Sequence, residues 1–247
     1  MLKSPILALS VATVALAPIS GATPAGAPAR ATPPGHTLGL RAGAAAPAPP
    51  GTTARPGDAP GPGCGFTKAV PYDRFKGLPD FTAGRAARPY IARLYTTQGV
   101  IAFRALTTAA PCTTFSFRFL AQRLYFDQTH CHRLTTQGIF VLQCGDPTGT
   151  GAGGPGYRFN DENLAGATYP AATVAMANSG PNTNGSQFFL VYKDTDLSAS
   201  YTPFGKIVSG LGIIQQIAKA GTDNSNGPGD GHPKEKVEIE SVTIKKT

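Results

Sequence analysis

The sequence predicts a mainly β fold, a closed antiparallel barrel capped by two α-helices. Short segments rich in β-branched and aromatic residues recur from Ile91 to the C-terminus. Only two segments carry helical periodicity, and the strand–helix–strand rhythm of a parallel sheet is missing.

The first quarter of the 247 residues cannot build core. No Phe or Tyr precedes Phe66, and 10 of the 23 prolines fall between Gly21 and Gly63. One domain of ordinary size remains, large enough to bury a hydrophobic centre. Lys3, the apolar run Ile6 to Ile19 and the small residues through Ala31 read as an export signal over residues 1–31. The run is short for a bilayer span, and an uncleaved anchor is the competing reading. Residues 32–63 read as an extended Ala/Pro/Gly-rich tether, because such a composition buries too little apolar surface to offset its ordering entropy. Residues 64–90 form a lead-in, and 91–247 the folded domain.

Within that domain, Ile91 to Thr96 and Val100 to Leu106 flank "TQG", a hairpin signal with Gly where positive φ is needed. Pro111 suits a helix start, and Cys112, Phe115 and Phe119 place an apolar stripe on the helix behind it. Thr129 to Thr135 and Ile139 to Gln143 are strand-like. Gly145 to Tyr157, "GDPTGTGAGGPGY", lacks the Lys-Ser/Thr of a nucleotide loop and reads as a surface loop. Thr173 to Ala177 and Gln187 to Lys193 are again strand-like. Leu211, Ile214, Ile217 and Ala218 mark a second helix that stops at Gly221. Val237, Ile239, Val242 and Ile244 form a last strand whose phase slip predicts a bulge.

The net charge of +8 is spread along the chain, with no basic run interleaved with aromatics. A solvated positive face is expected, and no nucleic-acid partner. Four cysteines, Cys64, Cys112, Cys131 and Cys144, point to two disulfides in an exported chain, and sequence allows three pairings. They are widely separated and contain no CxxC, which argues against a metal site. Nucleophilic catalysis fails on inventory: neither Ser179 nor Ser186 lies in a GxSxG elbow. His132 reads as a satisfied structural histidine ahead of a metal ligand.

Three blocks carry a specific resemblance: "HCHRLTTQGIFVLQCGD" (His130 to Asp146), "VAMANSGPNTNGSQFFLVY" (Val174 to Tyr192) and "YTPFGKIVSG" (Tyr201 to Gly210). In order and spacing they resemble the signature blocks of the cyclophilin family of peptidyl-prolyl cis-trans isomerases, over about Ile91 to Thr247. The cysteine placements resemble secreted bacterial members. The resemblance implies an eight-stranded antiparallel barrel with two capping helices. It also implies Arg133 as the catalytic arginine, with Gln143 holding the substrate carbonyl. Phe140, Val141, Phe189, Leu197 and Tyr201 would then form a proline pocket, and Ala177, Asn178 and Gln187 a groove for the peptide backbone. The family's barrel pairing further implies disulfides Cys131–Cys144 and Cys64–Cys112.

Rotation about an X-Pro bond faces about 18 to 20 kcal/mol because the amide loses its resonance. At the twisted midpoint the proline nitrogen gains a lone pair, and a guanidinium over it can hydrogen-bond there but not in the planar ground state. No cofactor, metal or nucleotide is required. Pro-containing polypeptides are the expected partners and a monomer the expected state, secreted or held at the cell surface if the signal is not cleaved. A groove that binds proline segments with little turnover is the alternative. The chain has no Trp, and Asp196 stands before Leu197 where many eukaryotic members place one, so cyclosporin binding is in doubt. Tyr201 and Val141 also depart from the commoner His and Met.

Overall fold

A computed structural model describes residues 63–247; the expected export signal and nearly all of the expected tether lie outside them. The elements run β1 (Thr67–Tyr72), α1 (Ala83–Ala86), β2 (Tyr90–Thr96), β3 (Gly99–Ala105), α2 (Pro111–Ala121), β4 (Thr129–His130) and β5 (Arg133–Thr135). They continue as β6 (Val141–Cys144), β7 (Pro155–Arg158), β8 (Thr173–Met176), β9 (Phe188–Val191), β10 (Pro203–Ser209), α3 (Leu211–Ala220), β11 (Asp230–Gly231) and β12 (Glu238–Lys246).

The β2–β3 hairpin forms as expected, with Thr96 opposite Gly99 and Gly99 at φ 122°. Alternate residues of β2 face inward, which puts Ala92 and Leu94 in the core. Helix α2 begins at Pro111 but takes no cap from its own N-cap residue, Ala110. Its free amides are met from a distance: the Glu162 carboxylate accepts from Cys112 N–H at 2.9 Å and Thr113 N–H at 2.8 Å. Helix α3 ends against Gly221, at φ 84°. In β12 the expected bulge lies between Ile239 and Ser241, where the register with β2 shifts.

The sheet differs from the barrel expected. Ten antiparallel strands hydrogen-bond in the order β11-β5-β6-β9-β8-β10-β3-β2-β12-β4, and a separate two-stranded ladder joins β1 to β7. Among the described residues no ladder joins β11 to β4, so the sheet is curled and open. The cause lies in Thr129 to Thr135, expected as one strand. It breaks at Cys131 and His132, so β4 ends up on the edge of β12 while β5 pairs with β6. Two residues therefore bridge opposite ends of the sheet, which bends it round on itself. A third, four-residue helix, α1, joins the two expected.

Two other expectations need correction. The glycine-rich stretch is not surface loop throughout: Gly153 to Tyr157 is buried, and Pro155–Arg158 forms β7. Strand β10, unrecognised from periodicity because Gly205 interrupts it, sits between β8 and β3. A Cβ at Gly205 would approach the Phe103 ring to 2.6 Å, so the glycine lets the strand close over the core.

That core is aromatic. Phe103, Phe117, Phe126, Phe188 and Phe204 pack with ring centroids 4.9 to 5.7 Å apart, mostly edge to face. The two disulfides are Cys64–Cys112, which ties the lead-in to α2, and Cys131–Cys144, which ties the β4–β5 break to the end of β6. The first closes 48 residues of chain, worth roughly 4 kcal/mol of lost unfolded-state freedom on a chain-entropy account. Replacing Cys64 and Cys112 together by Ser is expected to lower unfolding free energy by about 2 to 4 kcal/mol in a urea titration, while circular dichroism of the folded protein stays unchanged.

Candidate active site

Successive residues of a strand face opposite sides, so β6 and β9 each serve two environments. Leu142, Cys144, Phe188 and Leu190 point into the main core. Val141, Phe189 and Val191 point the other way, into a second apolar cluster with Tyr169, Ala175 and Tyr201. On this outer face Arg133 of β5 stands directly opposite Gln143 of β6, Gln143 opposite Phe189 of β9, and Phe189 opposite Ala175 of β8. The ladder thus lays a charge, an amide and an aromatic ring side by side.

These residues surround a shallow pocket lined by Arg133, Ile139, Val141, Gln143, Ala177, Phe189, Leu197 and Tyr201. Seven of the ten residues assigned by resemblance to catalysis or substrate contact meet there. Phe140 does not: its ring packs on Tyr192 at 6.0 Å and under the Lys193 ammonium at 4.3 Å, on the core side. Its neighbour Ile139 takes the wall instead, as alternation along the segment dictates. Asn178 and Gln187 also stay outside the pocket lining.

Gln187 is spoken for within the protein. Its amide nitrogen donates to the carbonyls of Gly151 at 3.0 Å and Gly153 at 2.9 Å, and its oxygen accepts from Gln143 Nε2 at 2.8 Å. Gln143 therefore faces the pocket with one of its two N–H donors engaged by Gln187 and its oxygen without a protein partner among the described residues. Asn178 uses its side chain to donate to Ser200 O and to accept from Gly180 N–H. No hydrogen bond within the described residues engages the Asn178 main chain, which leaves both its backbone groups open to an extended ligand.

The apolar cluster behind the pocket has a member that sequence reasoning missed. Tyr169 donates its hydroxyl hydrogen to Tyr201 O at 2.8 Å and accepts from Tyr201 N–H at 3.0 Å. Its ring packs 6.2 Å from both Phe189 and Tyr201, and those two rings lie 5.7 Å apart. Burial raises the pKa of both tyrosines, so they stay neutral in a dry aromatic box. Periodicity could not have found Tyr169, which sits alone in an irregular segment.

Charge enters at one edge. The Arg133 guanidinium donates from Nε to Asp230 Oδ1 at 2.8 Å and from Nη2 to Asp230 Oδ2 at 2.6 Å, a bidentate pair with side chains 18% and 22% exposed. Asp230 lies 97 residues away on the two-residue strand β11, and no local pattern announces it. His132, expected to be a satisfied structural residue, is buried with both ring nitrogens unpartnered among the described residues. Burial lowers its pKa, so it remains neutral beneath the Gly151 backbone. Among the described residues no group of three or more His, Cys, Asp or Glu gathers as a metal site.

Behind the pocket, Gly145 at φ 91° turns the chain into Asp146, a fully buried carboxylate. A Cβ at Gly145 would meet Ser186 O at 2.3 Å, so only glycine permits this turn. Asp146 accepts from the backbone N–H of Thr148, Thr150, Gly151 and Gly153 and from the Thr148 hydroxyl. It is the hub on which the glycine-rich loop folds, and that loop carries the carbonyls that hold Gln187.

Fold and site together define a curled-sheet protein with an arginine-edged apolar pocket on its outer face. The chain belongs to the cyclophilin-type peptidyl-prolyl cis-trans isomerases: the family model described as "Cyclophilin type peptidyl-prolyl cis-trans isomerase/CLD" matches residues 91–244. A "Probable peptidyl-prolyl cis-trans isomerase B" of Mycobacterium tuberculosis is 47% identical over 165 residues, covering 61% of this chain and 53% of the relative. A protein of the same name from Mycobacterium leprae is 47% identical over 167 residues, covering 62% and 56%. The chain thus spans about half the length of these curated relatives. A crystal structure of a Cryptosporidium parvum cyclophilin type peptidyl-prolyl cis-trans isomerase superposes with TM-score 0.57 at 29% identity, over 64% of this chain and 99% of that one. The same isomerase crystallised in the presence of the dipeptide Ala-Pro gives TM-score 0.56 at 30% identity, with the same coverage of both chains.

The Asp146 hub has a pH signature. Its burial alone would raise its pKa, but the Thr148 hydroxyl and the amides of Thr148, Gly153 and Gly151 hold it below the ordinary carboxylate value. The folded-state pKa is depressed, so the stabilisation is fully present above the unfolded value of about 3.9 and is lost as pH falls through the folded value. Between pH 6 and pH 3 the wild-type urea midpoint is expected to fall more than that of Asp146→Asn, whose amide does not titrate. Asp146→Asn itself is expected to be destabilised by about 1 to 3 kcal/mol at pH 7, since a buried acceptor is lost.

Proposed function

We propose that this chain is a peptidyl-prolyl cis-trans isomerase acting on Pro-containing polypeptides outside the cytoplasmic membrane, with Arg133 stabilising the twisted amide. One observation carries the reading: a positively charged donor, Arg133, at the rim of a shallow and mostly apolar pocket, with an open backbone edge at Asn178. An X-Pro segment has the same division, an apolar ring beside a polar main chain.

Val141, Phe189, Leu197 and Tyr201 grip the ring, Tyr169 stiffens the floor from behind, and the Asn178 main chain fixes the preceding residues. With both sides of the bond held, rotation is confined to the peptide link. As the amide twists, the proline nitrogen becomes basic and pyramidal, and an Arg133 N–H donates to it. The contact exists only near the midpoint, so it lowers the barrier without tightening ground-state binding.

The magnitudes are consistent. Turnover near a thousand per second needs a barrier of roughly 13 kcal/mol, about 5 to 7 below the uncatalysed value. A hydrogen bond from a charged group contributes about 1.5 to 3 of this, and the pocket and backbone contacts supply the rest by orientation. Two disulfides within the described residues support an oxidising compartment, and with it the role of a foldase for exported proteins. Asp196 is exposed and the chain has no Trp, which supports weak cyclosporin binding.

The test is cis-trans exchange of an Ala-Pro-containing peptide followed by NMR with the full chain. Arg133→Ala is expected to lower kcat/KM by about one to two powers of ten, the equivalent of one charged hydrogen bond, with the unfolding midpoint retained to within a few degrees. Peptide binding without exchange in the wild type would instead establish a proline-segment binding module.

A further inference from the structure

We propose that Asp230 is the positioning residue of the site: its carboxylate fixes the plane of the Arg133 guanidinium and directs the remaining donors at the bound proline. The inference rests on the reading of Arg133 as the group that contacts substrate.

Arginine is a rotamer-rich side chain, and one tethered only by its own backbone must be ordered anew at each encounter. A two-point contact removes that freedom. Nε to Oδ1 at 2.8 Å and Nη2 to Oδ2 at 2.6 Å define both the position and the plane of the guanidinium. Five N–H groups are available on the fork, and the carboxylate takes one on Nε and one on Nη2. Two on Nη1 and one on Nη2 remain, and no other hydrogen-bond acceptor among the described residues engages them. Gln143, directly opposite, donates from its amide nitrogen to Gln187 and makes no hydrogen bond to Arg133.

Asp230 is itself held. Its strand pairs with β5, Asp230 opposite Thr135 and Gly231 opposite Leu134, so arginine and aspartate are carried by one ladder. Its N–H donates to Gly227 O at 2.9 Å, its carbonyl accepts from Asn226 N–H at 3.0 Å, and Asn226 Nδ2 donates to Oδ1 at 3.3 Å. Asn224 accepts from Gly229 N–H at 2.8 Å and closes the turn. The carboxylate belongs to a preorganised hairpin, not to a floppy loop. Burial alone would raise its pKa, and the Arg133 hydrogen bonds and charge override that to keep it ionised.

The pair also resolves a conflict in the site. A lone guanidinium at the rim of an apolar pocket would hold water there, against the dryness that gripping a proline ring demands. Paired, it can shed that water and still present uncommitted donors.

Kinetics on the full chain separate positioning from simple bracing. Asp230→Asn, nearly isosteric, is expected to lower kcat by about tenfold to a hundredfold, with KM changed less than about threefold. In an Arg133→Ala background the same substitution should have no further effect on kcat. The Arg133 Nε–H, slow to exchange with solvent in the wild type, should exchange rapidly in Asp230→Asn by arginine-selective 15N NMR. Unchanged kcat in folded Asp230→Asn, or an equal fractional loss in both backgrounds, overturns the proposal. An Arg133→Ala protein with full activity would instead defeat the catalytic reading of Arg133 and leave the Asp230 contact as a brace.

Discussion

Everything in this domain depends on two adjacent strands having no spare face. In β6 and β9 one set of alternate residues, Leu142, Cys144, Phe188 and Leu190, closes the main core, while the other set, Val141, Gln143, Phe189 and Val191, builds or supports the pocket. A one-residue slip would exchange the two sets, burying an amide among phenylalanines and pulling Leu142, Cys144, Phe188 and Leu190 out of the main core. Register is therefore enforced by core energetics, and the pocket inherits its precision from them. The Cys131–Cys144 bridge and the Gly145 turn sit at the end of β6, where a slip would have to begin.

The break in the sheet is as productive as its continuity. Because Cys131 and His132 leave the strand pattern, β5 becomes a short segment of three residues with β6 on one side and only the two residues of β11 on the other. A charged side chain on such a strand can reach the rim of the outer face without crossing the core. Arg133 is the result, and its charge is balanced by Asp230 from the last short strand and not by anything buried. An ionised group in the middle of the sheet would face a desolvation cost that a pocket this small could not recover.

Elements with local periodicity were legible from the residues alone: the β2–β3 hairpin, α2, α3 and the β12 bulge each write their geometry into spacing. Through resemblance the blocks around Arg133, Gln143 and Phe189 pointed to ten residues, and seven of them line one pocket. What escaped was fixed by partners distant in sequence. Strand β7 hides in glycine and proline and exists because β1 pairs with it. Strand β11 is two residues long, below any periodicity, and Glu162 caps α2 from about 50 positions away. Phe140 was assigned to the pocket although strand alternation with Val141 already argued for the opposite face. Asp230 and Tyr169 had no local signal, since a carboxylate in a turn and a tyrosine in a loop are ordinary.

The stretch Asn178 to Phe189 shows why so polar a sequence adjoins the aromatic pocket. Its side chains are spent mainly on the protein itself: Asn184 donates to Phe159 O and Asp161, Ser186 to Gly145 O, and Gln187 to Gly151 and Gly153. Asn182 takes φ 59°, a conformation asparagine tolerates, to reverse the chain. The Ser186 and Gln187 bonds tie the stretch to Gly145 and to the loop organised by Asp146, and the Asn184 bonds tie it to the segment after β7, so the stretch leading to Phe189 is braced at several points. Side-chain hydrogen-bonding capacity consumed this way is not available to read a client's sequence. On the function proposed, recognition falls to the Asn178 main chain and to the shape of the pocket, both indifferent to the residues around a proline. On that same proposal the groove would fit a bond type shared by many chains, because its polar side chains are committed to architecture.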